Sequence, residues 1–399
     1  MYGMKTADVV IVGGGLMGCS IARVLGERGA GKVVVFEKNG IGTGATGKSS
    51  GVLRCHYGHP VLAYMAWKSL ETFRRAQDIL GDDVGYRPIG YMVGVGPENV
   101  AALEANIRML QGLGVETRLL SPDEARQLWP SMDTDDFAGF AYEPYGGYAD
   151  PILTAQAFAR LARRAGVKIV QSCPVKRILL SPDGSRVEGV ESEVFGRVYA
   201  PVVVIAAGAW TPFLSETAGF HVSIRAQREQ LLLIDPAVSL GPVPVYSDLV
   251  HLQYGKPEGS GHILVGNSDH SAPEFVHPDE YSRALDDDYV ELAAGKFMKR
   301  FPGMSRARLA SGYTGAYEVT PDYNPVMGLT PVEGLYVCAG FSGHGFKLSP
   351  VVGEVMAAFM MEGHSGDPQI DLSLFRLSRF DEGKFLASLH PYQGAGQLR

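Results

Sequence analysis

The feature that most constrains this chain is the run DVVIVGGGLMGCSIARVLGERG near its start. A β-branched stretch ends in a turn at Gly13, and apolar residues then recur at helical spacing: Leu16, Ile21, Ala22, Val24 and Leu25. Strand, turn and helix therefore follow one another directly. Gly13, Gly15 and Gly18 form G-x-G-x-x-G: the first makes the turn, the second lets backbone approach a diphosphate, and the third packs helix on strand. The helix N-terminus then faces the diphosphate. A second strand, KVVVFEK, ends at Glu37, nineteen residues after Gly18. A carboxylate there can accept hydrogen bonds from both hydroxyls of an adenosine ribose and argues against a 2′-phosphate. The unit reads as a dinucleotide site and by itself does not separate NAD from FAD.

After Glu37 comes NGIGTGATGKSSGVLRCHYGHP, where an NAD-binding domain would usually proceed to its next strand and helix. Small residues allow close backbone approach to something large. A helix opening near His59 and Pro60 and running through VLAYMAWKSLETFRRAQDIL closes this stretch. Two later pieces belong to the same sheet by pattern. DPILTAQAFARLARRAGVKIVQSCPVKRI reads as an amphipathic helix and then the strand VKIVQ, and VYAPVVVIAAGAWTPFL reads as a buried strand leading to a turn at Ala207 and Gly208. Their separation from the first unit implies an inserted second domain.

Composition bounds the rest. A chain of 399 residues, 46% hydrophobic, can bury a substantial core and should hold about two domains. A net charge of −7 with scattered lysines and arginines makes nucleic acid an improbable partner. The four cysteines, Cys19, Cys55, Cys173 and Cys338, form no CxxC pair, so neither a metal site nor a disulfide framework is expected. The first residues run straight into a strand and leave no room for a signal peptide, and apolar runs such as VVVIAAGAW are too short to span a bilayer. A soluble, cytoplasmic protein is the expectation.

Five pieces in order, VVIVGGGLMGCSIARVLGERG, GATGKSSGVLRCHYG, GGYADPILTAQAFARLARRAG, VVVIAAGAW and AGFSGHGFKLSP, span nearly the entire chain. Together they resemble the FAD-dependent D-amino-acid oxidase (DAO) superfamily, in particular its sarcosine oxidase, glycine oxidase and proline dehydrogenase β-subunit branch. The resemblance implies an α/β architecture, α+β overall: a Rossmann-like FAD-binding domain with a discontinuous substrate domain built on a mixed or antiparallel sheet. Residues 1–85, 146–217 and 322–399 would bind FAD, and residues 86–145 and 218–321 would form the substrate domain. YRPIGYMVGV, FAGFAYEP, SIRAQREQLLLID, HLQYGK and GHILVGN read as its short strands. Cofactor contacts would come from Gly13, Gly15, Leu16 and Met17 at the turn and from Glu37 and Lys38 at the ribose. The small-residue loop would add Gly44, Ala45, Thr46, Ser49, Ser50 and Gly51, and the sheet Val175, Ala207 and Gly208. Gly340, Gly343, His344, Gly345, Phe346 and Lys347 would cradle the ring.

The resemblance also implies that Arg54 and Lys347 hold a substrate carboxylate, the planar guanidinium gripping both oxygens. Tyr254 and His270 lie on segments expected to cover the pocket and join them as catalytic candidates, while His56 and Tyr57 share the loop of Arg54. Two departures matter. Gly315, in TGAYEVTPDYNP, stands where monomeric sarcosine oxidases carry the cysteine that binds flavin covalently, so the FAD is expected to be non-covalent. SGHILVGNSD lacks the lysine that lies above the flavin in those oxidases, which leaves oxygen or another electron acceptor open. In AGFSGHGFKLSP, Ser349 is the expected N-cap and Pro350 the first residue of a helix through Met361 that Gly363 stops. The expected activity is oxidation of a small secondary or N-methyl amino acid, by hydride transfer to flavin N5 and hydrolysis of the resulting imine. Proline, glycine or D-amino acid oxidation, 2-hydroxy acid or glycerol-phosphate dehydrogenation, and a noncatalytic FAD subunit are the alternatives. The chain would act as a homo-oligomer or as the β-subunit of a hetero-oligomer.

Overall fold

A computed structural model describes residues 5–259 and 261–394. The ends of the expected cofactor half, residues 1–4 and 395–399, lie outside the described residues. Its centre is a six-stranded sheet in the order Val326–Leu329, Leu335–Ala339, Val202–Ile205, Val9–Val12, Val33–Phe36 and Lys168–Val170. All neighbours run parallel except the first pair. Val9–Val12 lies between Val33–Phe36 and Val202–Ile205, so the strand order reverses there, and the crevice beyond its C-terminal end is where such sheets bind ligands.

The three central strands, Val9–Val12, Val33–Phe36 and Val202–Ile205, are apolar at every position because both faces are covered. Val9, Ile11, Val33, Val35 and Val204 pack under the helices Leu16–Glu27, Pro60–Arg74, Pro151–Arg164 and Ser349–Glu362. Val10, Val12, Val34, Phe36, Val203 and Ile205 point the other way, onto a three-stranded antiparallel sheet of Val175–Leu180, Val187–Ser192 and Gly196–Tyr199. Periodicity does not reveal this small sheet, because its strands Val175–Leu180 and Gly196–Tyr199 are mostly exposed or half-buried.

A nine-stranded mixed sheet forms the other half. Its strands, in order, are Phe275–Val276, Arg225–Asp235, Ile263–Asn267, Gln253–Pro257, Val245–Asp248, Tyr91–Val95, Gly139–Glu143 and Arg118–Leu120. Arg308–Val319 pairs along the free edge of Arg225–Asp235. Val245–Asp248 and Tyr91–Val95 are its only parallel neighbours among the described residues. Helix Val100–Gly112 covers the face of Tyr91, Val93 and Val95, and helix Asp287–Arg300 covers that of Met92, Leu232 and Val265.

The C-terminal stretch ties the halves together. Arg379, fully buried, bonds Asp322 at 2.8 and 2.9 Å, and the Leu389 N–H donates to the Gly58 carbonyl at 2.8 Å. Asn106 donates to the His390 carbonyl at 2.9 Å, and Tyr392 reaches His56 Nε2 at 2.7 Å. Among the described residues no helix is long and apolar enough to cross a membrane, and no cluster of His, Cys, Asp and Glu could hold a metal ion.

Candidate active site

The G-x-G-x-x-G turn closes as the spacing predicts. Gly13 has φ +115°, and a Cβ there would lie 2.2 Å from the Ala206 oxygen; a Cβ on Gly18 would lie 1.9 Å from the Gly13 oxygen. Gly15 caps helix Leu16–Glu27, and the Leu16 N–H donates to Thr46 Oγ1 at 3.1 Å, which anchors the small-residue loop over the turn. Glu37 lines the same crevice. Its Oε2 accepts from the Gly14 N–H at 2.7 Å and its Oε1 from the Asn39 N–H at 2.8 Å. Each oxygen keeps a second acceptor position.

These groups open into a cleft of about 460 Å³. Gly13, Gly15, Leu16, Met17, Glu37 and Lys38 line it, as do Gly44, Ala45, Thr46, Ser49 and Val175. Ala207, Gly208, Gly343, Gly345 and Phe346 complete the expected contacts found there. Ser50 and Gly51 lie past its edge, where the chain turns into the short strand Val52–Leu53, and Gly340 also stands outside the lining. Lys48, Tyr317, Glu318 and the 277–283 segment line the cleft without having been expected.

The 277–283 segment reaches the cleft from the nine-stranded half. Lys38 Nζ lies 2.7 Å from Asp279 Oδ1 and 3.9 Å above the Trp210 ring, and the Trp210 indole N–H donates to Asp279 Oδ2 at 2.8 Å. Lys38, itself in the cleft lining, therefore also clasps a strap across it. An exposed ion pair contributes up to about 1 kcal/mol and a cation–π contact a similar amount. If the cleft holds the expected FAD, Asp279→Asn should therefore speed its release by about threefold to tenfold, read as the recovery of free flavin fluorescence after dilution. An unchanged release rate would show that the strap does not retain the cofactor.

His344 and Lys347 do not line this cleft. They belong to a second, buried cluster beyond Phe346. The Arg54 guanidinium lies 4.4 Å from the Tyr57 ring centroid and 5.9 Å from that of Tyr91, and it donates to the His56 carbonyl. His344 Nε2 lies 2.7 Å from the Tyr323 carbonyl, so it carries the proton, and the Tyr57 hydroxyl donates to Nδ1 at 3.2 Å. Burial, helped by the nearby Lys347 charge, pushes His344 down to about 3, and burial with Arg54 does the same to His56. Both imidazoles are neutral at ordinary pH.

Lys347 is buried, and no carboxylate bridges to its ammonium among the described residues. Burial and then the Arg54 charge hold it well below the usual lysine range. Two cations thus share a buried space with no acid bonded to either. Glu143 feels the Arg54 charge; its Oε2 accepts from the Cys55 N–H at 2.7 Å and its Oε1 has no partner among the described residues. Burial pushes its carboxyl up to about 7 against the pull of that N–H and of Arg54.

Tyr254 and His270 stand apart: among the described residues no hydrogen bond, ion pair or ring contact joins either to Arg54 or Lys347. Tyr254 neighbours Tyr317, whose ring sits over Gly343 at the cleft. His270 contacts Gln227 at 3.1 Å and Glu229 at 3.4 Å, and Gln227 accepts from the Tyr323 hydroxyl at 3.2 Å. The strand Ile263–Asn267 carries no lysine, and Lys256 on the neighbouring strand is engaged by Glu258. One expectation is corrected. Leu348, not Ser349, is the N-cap of the last helix, because a single 3₁₀ turn over Phe346–Leu348 runs directly into it and the Ser349 hydroxyl donates back to the Phe346 carbonyl at 2.8 Å. Pro350 accordingly sits one position further in, and Gly363 ends the helix with φ +80°.

The family model for FAD-dependent oxidoreductases, DAO, matches residues 8–359. A sarcosine oxidase subunit beta from an Arthrobacter species is 28% identical, over 96% of this chain and 93% of its own length. FAD-dependent oxidoreductase domain-containing protein 1 of Xenopus laevis is 29% identical, over 94% of this chain and 83% of its own length. Among solved structures, an L-proline dehydrogenase from P. horikoshii superimposes with a TM-score of 0.87 at 26% identity, covering 96% of this chain and all of that one.

Proposed function

Because the chain belongs to the DAO family of FAD-dependent oxidoreductases, we propose that it oxidises the C–N bond of a small amino acid, foremost a secondary or N-methyl amino acid of the sarcosine kind. The observation that carries this reading is the pair of buried cations, Arg54 and Lys347, with no bonded acid, beside the loop that ends the cofactor cleft. A substrate carboxylate supplies the missing anion: Arg54 offers a planar fork and Lys347 a point charge. His344, held neutral between Tyr57 and Tyr323, fixes the wall between carboxylate and cleft. Bound FAD supplies the two-electron acceptor, and the substrate, losing a hydride from the carbon beside nitrogen, leaves as an imine that water hydrolyses. In this arrangement residues 1–85, 146–217 and 322–399 serve the cofactor, and residues 86–145 and 218–321 serve the substrate. Tyr254 and His270 act from behind Tyr317 and Tyr323 rather than on the carboxylate.

Anaerobic mixing of the FAD-loaded protein with a panel of amino and hydroxy acids tests the reading. Loss of the oxidised flavin absorbance with secondary amino acids is expected, and reduction by hydroxy acids alone would overturn it. Admitting air to the reduced protein then separates oxygen from another acceptor.

The FAD is non-covalent in this reading. Gly315 offers no thiol, and Cys338, the one cysteine of the cleft lining, is buried with its thiol pushed far up. Acid precipitation should therefore leave essentially all the flavin in the supernatant; yellow colour remaining in the pellet would contradict this. A second reading, as one subunit of a larger oxidase, is favoured by the similarity to a sarcosine oxidase subunit beta along nearly that protein's whole length. Flavin that no amine reduces until a partner chain is added would support it.

A further inference from the structure

Glu318 is an acid of the cofactor cleft with one oxygen left over. It lies near the end of strand Arg308–Val319, and its Oε1 accepts from the Phe341 N–H at 3.2 Å. Its Oε2 is shut off from solvent and has no hydrogen-bond partner among the described residues. That oxygen lies against Gly208, where a Cβ would come within 2.7 Å of it, and both residues line the cleft. A buried acceptor without a donor costs about 1–3 kcal/mol. No side chain of the described residues fills that role, and the cleft that Glu318 and Gly208 line is the space beside it.

The position of Oε2 narrows the donor. On one side, Ala206 packs on the Gly13 turn, the diphosphate station. On the other, Phe341 begins the loop to Gly343 and Gly345, the ring station. The part of FAD that joins diphosphate to ring is a polyol, whose hydroxyls can donate. A diphosphate oxygen cannot donate and would repel a carboxylate. We propose that Glu318 is a cofactor-binding residue whose Oε2 accepts a hydrogen bond from a hydroxyl of the ribityl chain of FAD. Burial, which pushes this carboxyl up to about 7 against the backbone N–H bonds, is consistent with an acid that meets a neutral hydroxyl rather than a cation.

The proposal rests on the family's cofactor and not on the amino acid reading, and its test involves neither amine nor turnover. Apoprotein is titrated with FAD and with FAD analogues lacking each ribityl hydroxyl in turn, following the quenching of flavin fluorescence. Wild type should bind one analogue about tenfold more weakly than FAD. Glu318→Ala should bind that analogue and FAD equally, whereas Glu318→Gln, which keeps an acceptor, should still discriminate. A merely structural role in holding the Gly340–Phe341 turn would weaken FAD and every analogue alike. If wild type distinguishes none of the analogues, or if Glu318→Ala distinguishes them as sharply as wild type, the proposal is overturned. Should Glu318→Ala not fold, Glu318→Met, which fills the space without a carboxylate, takes its place.

Discussion

Lys347→Met is expected to lower kcat/KM for the amino acid by about a hundredfold while making the protein more stable. A hydrogen bond to a charged group contributes about 1.5–3 kcal/mol, and each 1.4 kcal/mol is tenfold. Losing one of two cations on a substrate carboxylate therefore falls in that range. The stability gain has a separate cause. Lys347 is buried beside Arg54 with no acid bonded to it, so an apolar side chain of similar length removes a desolvated, repelled charge. The gain should be on the order of 1 kcal/mol in the apoprotein, read as a higher Tm. Normal flavin reduction by the variant would remove Lys347 from the substrate site.

The same cluster fixes a pH dependence whose sign can be worked out. Lys347, held below the ordinary lysine range, is charged at low pH and loses its charge early as pH rises. Glu143, pushed up to about 7, gains a negative charge as pH passes that value. Both changes oppose an anion, so an unreactive carboxylate inhibitor should bind more weakly as pH climbs through about 7. His344 and His56, neutral throughout, contribute nothing to that slope. In Lys347→Met the slope should shrink to the Glu143 part.

Gly13→Ala is expected to abolish flavin retention. The new methyl would meet the Ala206 oxygen at 2.2 Å and its carbonyl carbon at 2.8 Å, and both are backbone. Neither strand can give way easily: the Gly13 N–H donates to the Phe36 carbonyl at 2.8 Å, and the Ala206 N–H donates to the Val12 carbonyl at 2.9 Å. The φ of +115° adds strain of about 1–3 kcal/mol for any L side chain, before the steric conflict. The variant should purify without the flavin absorbance band and melt lower even in excess FAD. A full complement of bound flavin would refute the placement of the diphosphate at this turn.

Much of the cofactor half was legible because its signals are local. The turn at Gly13, the acid at Glu37 and the small-residue loop are each encoded within a few residues, and each lines the cleft. The substrate half was read as short strands, and the long strand Arg308–Val319 escaped because its burial follows no simple alternation. Its pairing partner, Arg225–Asp235, lies far earlier in the chain. The clasp of Lys38 on Asp279 joins residues 241 positions apart, and no composition or period announces such a contact. Glu318 lay inside TGAYEVTPDYNP, which was informative in sequence only for the cysteine it lacks. Its unpaired oxygen becomes visible once Gly208 and Phe341 stand on either side of it.

The cleft is assembled from segments near residues 13, 45, 175, 207, 279, 317 and 345. No short stretch of chain can hold the flavin, so the cofactor binds only when nearly the entire fold is in place. Its binding energy is then added to the stability of the whole molecule, by about 2.7 kcal/mol at a hundred times Kd. A cell short of the vitamin from which flavin is made would hold less of this protein, since the emptied chain unfolds more often and is degraded from that state. Vitamin supply thereby sets how much enzyme exists as well as how much of it works.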